Sequence, residues 1–403
     1  MSEWRTKALG EVTSYIAKGI PPKYVEKETA NTIRVLNQKC NRDFHISYKN
    51  SRLHDNAAKK APDVKMLKIG DVLINSTGTG TAGRVAQIWD VPTPTTIDGH
   101  MILLRPTDEI DPLYYGYAIK AYQATVETYA EGSTGQTEIN KTRLQDETVI
   151  CFPEDKEEQH KIGRILADID DKIIENEQIN KNLEEQAQAI FKAWFINLDP
   201  FDGIRPNSWK EVSLGAITSL VSRGITPKYV DKSEQIIINQ KCIRNHIVDL
   251  SLARTHSPKT INKKWLQYGD ILINSTGTGT LGRVAQLLFK PHNLTVDSHV
   301  TIVRPAQEIY IYYLGLWGTS HELEIEALHT GSTGQTELPR ERVKSMQLLL
   351  PDKATLRKFN SIIASMTANS IKNQAESHIL ASLRDALLPK LMSGELDVSS
   401  LVI

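Results

Sequence analysis

The sequence predicts an α+β protein built by tandem duplication: a globular domain followed by a long helix, then a second copy of both. Three observations predict it. INSTGTGTAGRVAQ, starting at Ile74, returns as INSTGTGTLGRVAQ from Ile273 with 13 of 14 letters unchanged. Up to Phe152 the chain alternates short apolar runs with proline, glycine and polar turns, the pattern of strands. From Asp155 to Trp194 it holds no proline and a single glycine, Gly163, and its apolar residues step by fours and threes.

The repeat is much larger than the glycine-rich loop. Trp4 recurs as Trp209, IPPKYV from Ile20 as ITPKYV from Ile225, NQKC from Asn37 as NQKC from Asn239, and GSTGQTE from Gly132 unchanged from Gly331. The offsets fall from 205 through 202 to 199, so two small deletions separate copies of a unit of about 200 residues. Asp98, His100 and Arg105-Pro106 recur as Asp297, His299 and Arg304-Pro305. The expected segments are a first globule over 1–152, a spacer helix over 153–197, a second globule over 198–350 and a second spacer helix over 351–403.

Within the first globule, some helix is expected between Leu113 and Thr128, and the glycines Gly78, Gly80 and Gly83 fit GxGxxG, as do Gly277, Gly279 and Gly282. A dinucleotide fingerprint needs a strand before the glycines and a helix after them. Residues 71–75 read as a buried strand, but residues 84–89 are a β-like run that meets Pro92 and Pro94 at once, leaving no room for a helix. No Lys-Ser or Lys-Thr pair follows, which excludes a Walker loop. The loop reads instead as a β-loop-β turn carrying Ser76, Thr77 and Thr79.

The long helix has a seam of Ile162, Leu166, Ile169, Ile173, Leu183, Ala187, Ile190 and Trp194, over about 40 residues or roughly 60 Å. The second copy runs from Phe359 through Ile363, Met366, Leu380 and Leu387 to Leu391. Asn176 and Asn373 sit at equivalent seam positions and suit a register-fixing polar pair in an antiparallel coiled coil. Paired that way, the helices put the globules at the ends of a rod under a pseudo-twofold axis, a calliper for two places on one linear polymer. The alternative is that each helix packs only on its own domain.

Composition narrows the class. Cys40, Cys151 and Cys242 have no CxxC spacing, so neither a disulfide framework nor a zinc site is expected, and no other metal site is indicated. The first residues carry no apolar signal region, and no stretch reaches the roughly 18 apolar residues of a membrane span, so a cytoplasmic protein without a membrane partner is expected. Formal net charge is zero, yet residues 18–68 hold 12 basic and 5 acidic side chains, and residues 223–264 hold 9 and 3. Residues 153–197 carry 6 and 11, which keeps that helix off a phosphate backbone. Recurrence of Arg42, Arg52 and His54 as Arg244, Arg254 and His256 favours a nucleic-acid surface over a solvated charge run.

The duplicated domain-plus-helix unit, GSTGQTE leading to an apolar strand, the run from EEQHKIGRILADIDDKI to FKAWF and the C-terminal LLPKLMSGELDV together resemble the specificity subunit of a type I DNA restriction-modification enzyme. The resemblance implies two target-recognition domains that bind double-stranded DNA, and helices that set their spacing and dock two methyltransferase subunits, with restriction subunits in the full complex. It implies no cofactor in this chain, S-adenosylmethionine, ATP and Mg belonging to the partner subunits. No NPPY-type methyl-transfer motif, Walker loop or acidic nuclease cluster is found in the chain, so a non-catalytic subunit is expected.

Base reading needs amides or guanidinium groups, and phosphate binding needs hydroxyls and lysines. The DNA-binding candidates are therefore Lys23, Tyr24, Gln38, Lys39, Arg42, Ser76, Thr77, Thr79, Ser133, Thr134, Gln136 and Thr137. Their counterparts are Lys228, Tyr229, Gln240, Lys241, Arg244, Ser275, Thr276, Thr278, Ser332, Thr333, Gln335 and Thr336. Turn chemistry competes for the loop hydroxyls, and Ser133 or Thr134 capping a following helix competes for GSTGQTE. Asp98 with His100 reads as a structural hydrogen bond. If near-identical loops read DNA, the target is split and nearly palindromic, unlike the two unlike half-sites the family usually implies; differences belong to residues 44–63 against 246–262. The competing classes are a nucleotide-dependent enzyme using the glycine loops and a coiled-coil protein-interaction scaffold without DNA binding.

Overall fold

A computed structural model describes residues 3–78, 80–132, 137–331, 336–398 and 401. They fall into two compact units, 1–174 with 377–403, and 175–376. The boundaries cut both long helices rather than following the four sequence segments. Contacts, unlike composition, assign each half-helix to the globule it packs on.

In the first unit, strand Val72–Asn75 lies at the centre of an antiparallel sheet between Met101–Pro106 and Val85–Gln87, with Thr13–Lys18 beyond. Successive side chains of a strand point to opposite faces, so one apolar run feeds two cores. Val72 and Ile74 face a cluster with Val85, Ile102, Leu104 and the helix Pro112–Ala121, where Tyr114 and Tyr115 are fully buried. Leu73 faces another with Leu36, Cys40, Ile97 and Leu103. That helix starts where expected because Asp111 accepts the N–H groups of Leu113 and Tyr114 and a proline fills its first position. A second sheet orders Thr95–Ile97, Thr32–Leu36, Arg52–Asp55 and Tyr24–Val25.

The second unit repeats this plan around strand Ile271–Asn274. One recurrent element is now explained. Arg105 forms a two-pronged pair with Asp71, both contacts 2.7 Å, and Arg304 does the same with Asp270 at 2.8 and 2.7 Å. Both carboxylates are 1% exposed, so the fork satisfies charges that water cannot reach.

The two long helices span Lys156–Phe195 and Lys353–Met392. In the first unit, Asp170 accepts from Arg384 at 2.6 Å and from Tyr117 at 2.7 Å, while Ile162 and Leu166 share a core with Leu388, Leu391 and Met392. In the second, Asn373 donates to Asn180 at 3.0 Å and Asn176 to Glu376 at 2.9 Å. Partner numbers fall as helix numbers rise, so the segments run antiparallel within that unit. The register brings Asn180, one turn beyond Asn176, opposite Asn373.

The helices do not pack only on the globules that precede them. Phe191 and Phe195, absent from the expected seam, are the most deeply buried residues at that helix end, in one cluster with Trp209 and Tyr313 of the second globule and Phe359 of the second long helix. The globule adds a second contact face, which turns the buried stripe away from a simple two-helix seam. Trp4 has the matching post in the first unit: Gly394, at φ +74°, lies so close to its indole that an added Cβ would come within 2.9 Å. No helix among the described residues is long and apolar enough to cross a membrane. Phe195→Ala is expected to lower the stability of the second unit by about 3–5 kcal/mol, seen in thermal unfolding as an earlier transition. An unchanged unfolding profile would contradict this packing.

Candidate nucleic-acid interface

The segments that recur most faithfully are brought together by the fold. Gly78, φ +106°, packs so tightly over Gln38 that a Cβ there would meet its Oε1 at 2.5 Å, and Asn75 donates its side-chain amide to the Gln38 carbonyl at 3.2 Å. Thr77 Oγ1 lies 3.0 Å from His100 Nδ1, the His100 N–H donates to Asp98 Oδ1 at 2.9 Å, and Tyr24 donates its hydroxyl to Asp98 Oδ2 at 3.3 Å. Thr77 bridges to Glu138, the end of GSTGQTE. The second unit repeats the assembly: Asn274 to the Gln240 carbonyl at 3.0 Å, Thr276 to His299 at 2.8 Å, and a Thr276–Glu337 bridge.

The glycine loop is the turn of a β-hairpin, with Ile74 opposite Val85 and Ile273 opposite Val284. No helix follows, so no helix N-terminus is available for a pyrophosphate. Asp98 with His100 is a structural contact: burial raises the Asp98 carboxyl above the usual carboxylate range, and the His100 N–H holds it. Among the described residues no cluster of metal-ligating side chains occurs. The helix after GSTGQTE, Lys141–Asp146, is capped by Asn140.

The candidates separate by exposure. Lys23, Lys39 and Arg42 are exposed, as are Lys228, Tyr229, Lys241, Arg244 and Thr278. Tyr24, Gln38, Thr77 and Thr137 are half-buried, with Gln240, Thr276 and Thr336 likewise. Ser76 and Ser275 are fully buried, their hydroxyls bonded to Glu138 at 2.8 Å and Thr301 at 2.5 Å. Those two serines build the hairpin and do not face a ligand. Gln38 is partly engaged too, its Oε1 accepting from Thr81 at 3.4 Å. Thr79, Ser133, Thr134, Gln136, Ser332, Thr333 and Gln335 lie outside the described residues. The recurrent His54 and His256 are interior residues, 0% and 1% exposed, and leave the surface to Arg52 and Arg254.

Sequence reasoning missed the hairpins that carry Arg42 and Arg244. Asn41–Arg42 pairs with His45–Ile46 and Ile243–Arg244 with Ile247–Val248. Both turn residues are left-handed in each copy: Asp43 (φ 54°), Phe44 (φ 64°), Asn245 (φ 49°) and His246 (φ 59°). Such turns usually announce themselves with glycine, and none is present here.

Comparison with known proteins agrees with this architecture. Residues 1–185 match the type I restriction modification DNA specificity domain. Along its length the chain is similar to the type I restriction enzyme MjaIX specificity subunit of Methanocaldococcus jannaschii, 24% identical with 99% of this chain and 95% of that protein covered. It is also similar to the HindI specificity subunit of Haemophilus influenzae, 23% identical over 98% of this chain and 100% of that one. Both the matched domain and the full-length relatives are thus type I specificity proteins, to which this chain is similar. A solved specificity subunit of this type, from M. genitalium, shares the fold with a TM-score of 0.57 at 17% identity, covering 99% of this chain and 97% of that one.

The two units differ in the charged groups beside the hairpin. In the first, Arg42, Arg84 and Lys120 line a cavity of about 160 Å³ with Asp43, Val85 and Gln123, and Phe44 packs on Tyr117 at 4.8 Å. In the second, His246 stands in the place of Phe44 and is held by Glu184 and, at 3.4 Å, by Glu322. Those carboxylates, Glu184 first, push the imidazole up to about 9 from 6.5.

Two outcomes are expected. A raised folded value means the contact contributes fully below about pH 6.5 and is lost as pH rises through about 9. The thermal stability of the second unit should therefore fall across that window, and His246→Gln should flatten the fall. Ser76→Ala should cost about 1–3 kcal/mol of stability without altering base preference; a changed target sequence would contradict the structural role.

Proposed function

We propose that this chain reads a bipartite, near-palindromic target in double-stranded DNA, one half-site per unit, and docks two methyltransferase subunits, with restriction subunits joining the full complex. DNA sequence recognition within a type I restriction-modification complex is its function. The observation that carries the finer reading is the same assembled loop face in each unit, fringed by matching exposed cations: Lys23 and Lys228, Lys39 and Lys241, Arg42 and Arg244. Phosphate contacts from such residues fix register on the duplex, and amide or guanidinium groups read base edges. A protein-interaction scaffold without DNA binding has no use for basic side chains repeated at the same places.

Methyl transfer and cleavage are assigned to the partners, which supply S-adenosylmethionine, ATP and Mg. The cytoplasm is the compartment this reading requires.

Methylation mapping in cells carrying the system should return two near-identical half-sites, differing where residues 44–63 and 246–262 diverge. Two unrelated half-sites would overturn the palindromic reading. Lys39→Ala and Lys241→Ala should each weaken binding evenly across sequences and reduce the salt dependence by about 0.9 in the log–log slope, the value for one phosphate contact. Partner assembly at saturation should show two methyltransferase subunits per chain; one would contradict the docking.

A further inference from the structure

Both units build one exposed feature that the identical motifs do not include. The Arg52 guanidinium lies 3.4 Å above the Tyr24 ring, and the Arg254 guanidinium lies 3.5 Å above the Tyr229 ring. Both arginines are exposed, and neither is in an ion pair among the described residues. Arg52 and Arg254 lie in the segments where the copies diverge, yet the same stacked pair forms in each.

We infer that Arg52 and Arg254 are base-reading residues, each contacting a guanine in its half-site through the major groove. This rests on the DNA-recognition reading above. A guanidinium lying over a ring still has in-plane N–H groups that point away from the ring. The tyrosine holds that plane before DNA arrives, so less side-chain freedom is lost on binding. An in-plane fork of two N–H donors matches guanine O6 and N7, the commonest specific contact in the major groove.

The platform is itself anchored. Tyr24 donates to Asp98, which accepts the His100 N–H, and His100 meets Thr77 of the glycine loop. The glycine loop therefore acts through position: it braces the ring on which the reading arginine lies. Tyr24 and Tyr229 are positioning residues in this scheme, and in the first unit Gly78 belongs to the support of the ring. That assigns the near-identity of the loops a role even though their serines are buried.

The test is selection from a randomised duplex library by the full chain assembled with its modification subunits, for wild type, R52A, R52K and R254A. Arg52→Ala is expected to erase roughly 5- to 150-fold of preference for one guanine in one half-site. Arg254→Ala should do the same at the matching position of the other half. Arg52→Lys keeps the charge without the fork, so it should lose the preference as Arg52→Ala does. An evenly weakened affinity with unchanged preference would make these arginines phosphate contacts and overturn the inference. A wild-type motif that survives in all variants also overturns it, whereas wild-type protein that enriches no motif removes the DNA-recognition reading itself.

Discussion

Neither core closes without residues from both long helices. The first globule needs Ile162 and Leu166 from one long helix and Leu388, Leu391 and Met392 from the other. The second needs Phe191 and Phe195 together with Phe359 and Ile363. Each half-helix has an apolar stripe too wide for a two-helix seam, and the surplus is buried only against a globule. The rest of the structure depends on this sharing: the aromatic posts at Trp4 and Trp209, the strands beside them, and the loops those strands carry.

Above that base, the site is assembled by polar groups with few alternatives. Asp71 and Asp270 are buried and answered by Arg105 and Arg304, which ties the central strand to its neighbour. The same strand ends in the glycine hairpin, so the orientation of Thr77 and Thr276 is inherited from the sheet. The Ser76 and Ser275 hydroxyls, which appear in sequence to be ligands for phosphate, are consumed by this construction.

The duplication is close but not symmetric in chemistry. Phe44 packs on an aromatic ring, while His246 is gripped by two carboxylates. Lys120 in the first unit has Thr319 as its counterpart, and Gln123 has Glu322. These changes leave the second hairpin face less positive than the first, so equal loops sit in unequal fields.

Sequence alone determined the duplication, the two long helices and the hairpin nature of the glycine loop. Each follows from local rules: periodicity, the absence of proline, the spacing of glycine. Tertiary structure decided which residues are spent on the scaffold. Ser76 and Arg42 are equally polar in sequence, but one points into a sheet that buries it and the other lies beside a left-handed turn in water. It also decided that Asn373 meets Asn180, since helix register is set by the cores rather than by the matching of repeats. The stacking of Arg52 on Tyr24 joins residues 28 apart through strand pairing, in which Tyr24 lies opposite His54, a neighbour of Arg52 along the strand. No local pattern encodes that meeting, because a sheet brings together residues whose spacing in the chain is arbitrary.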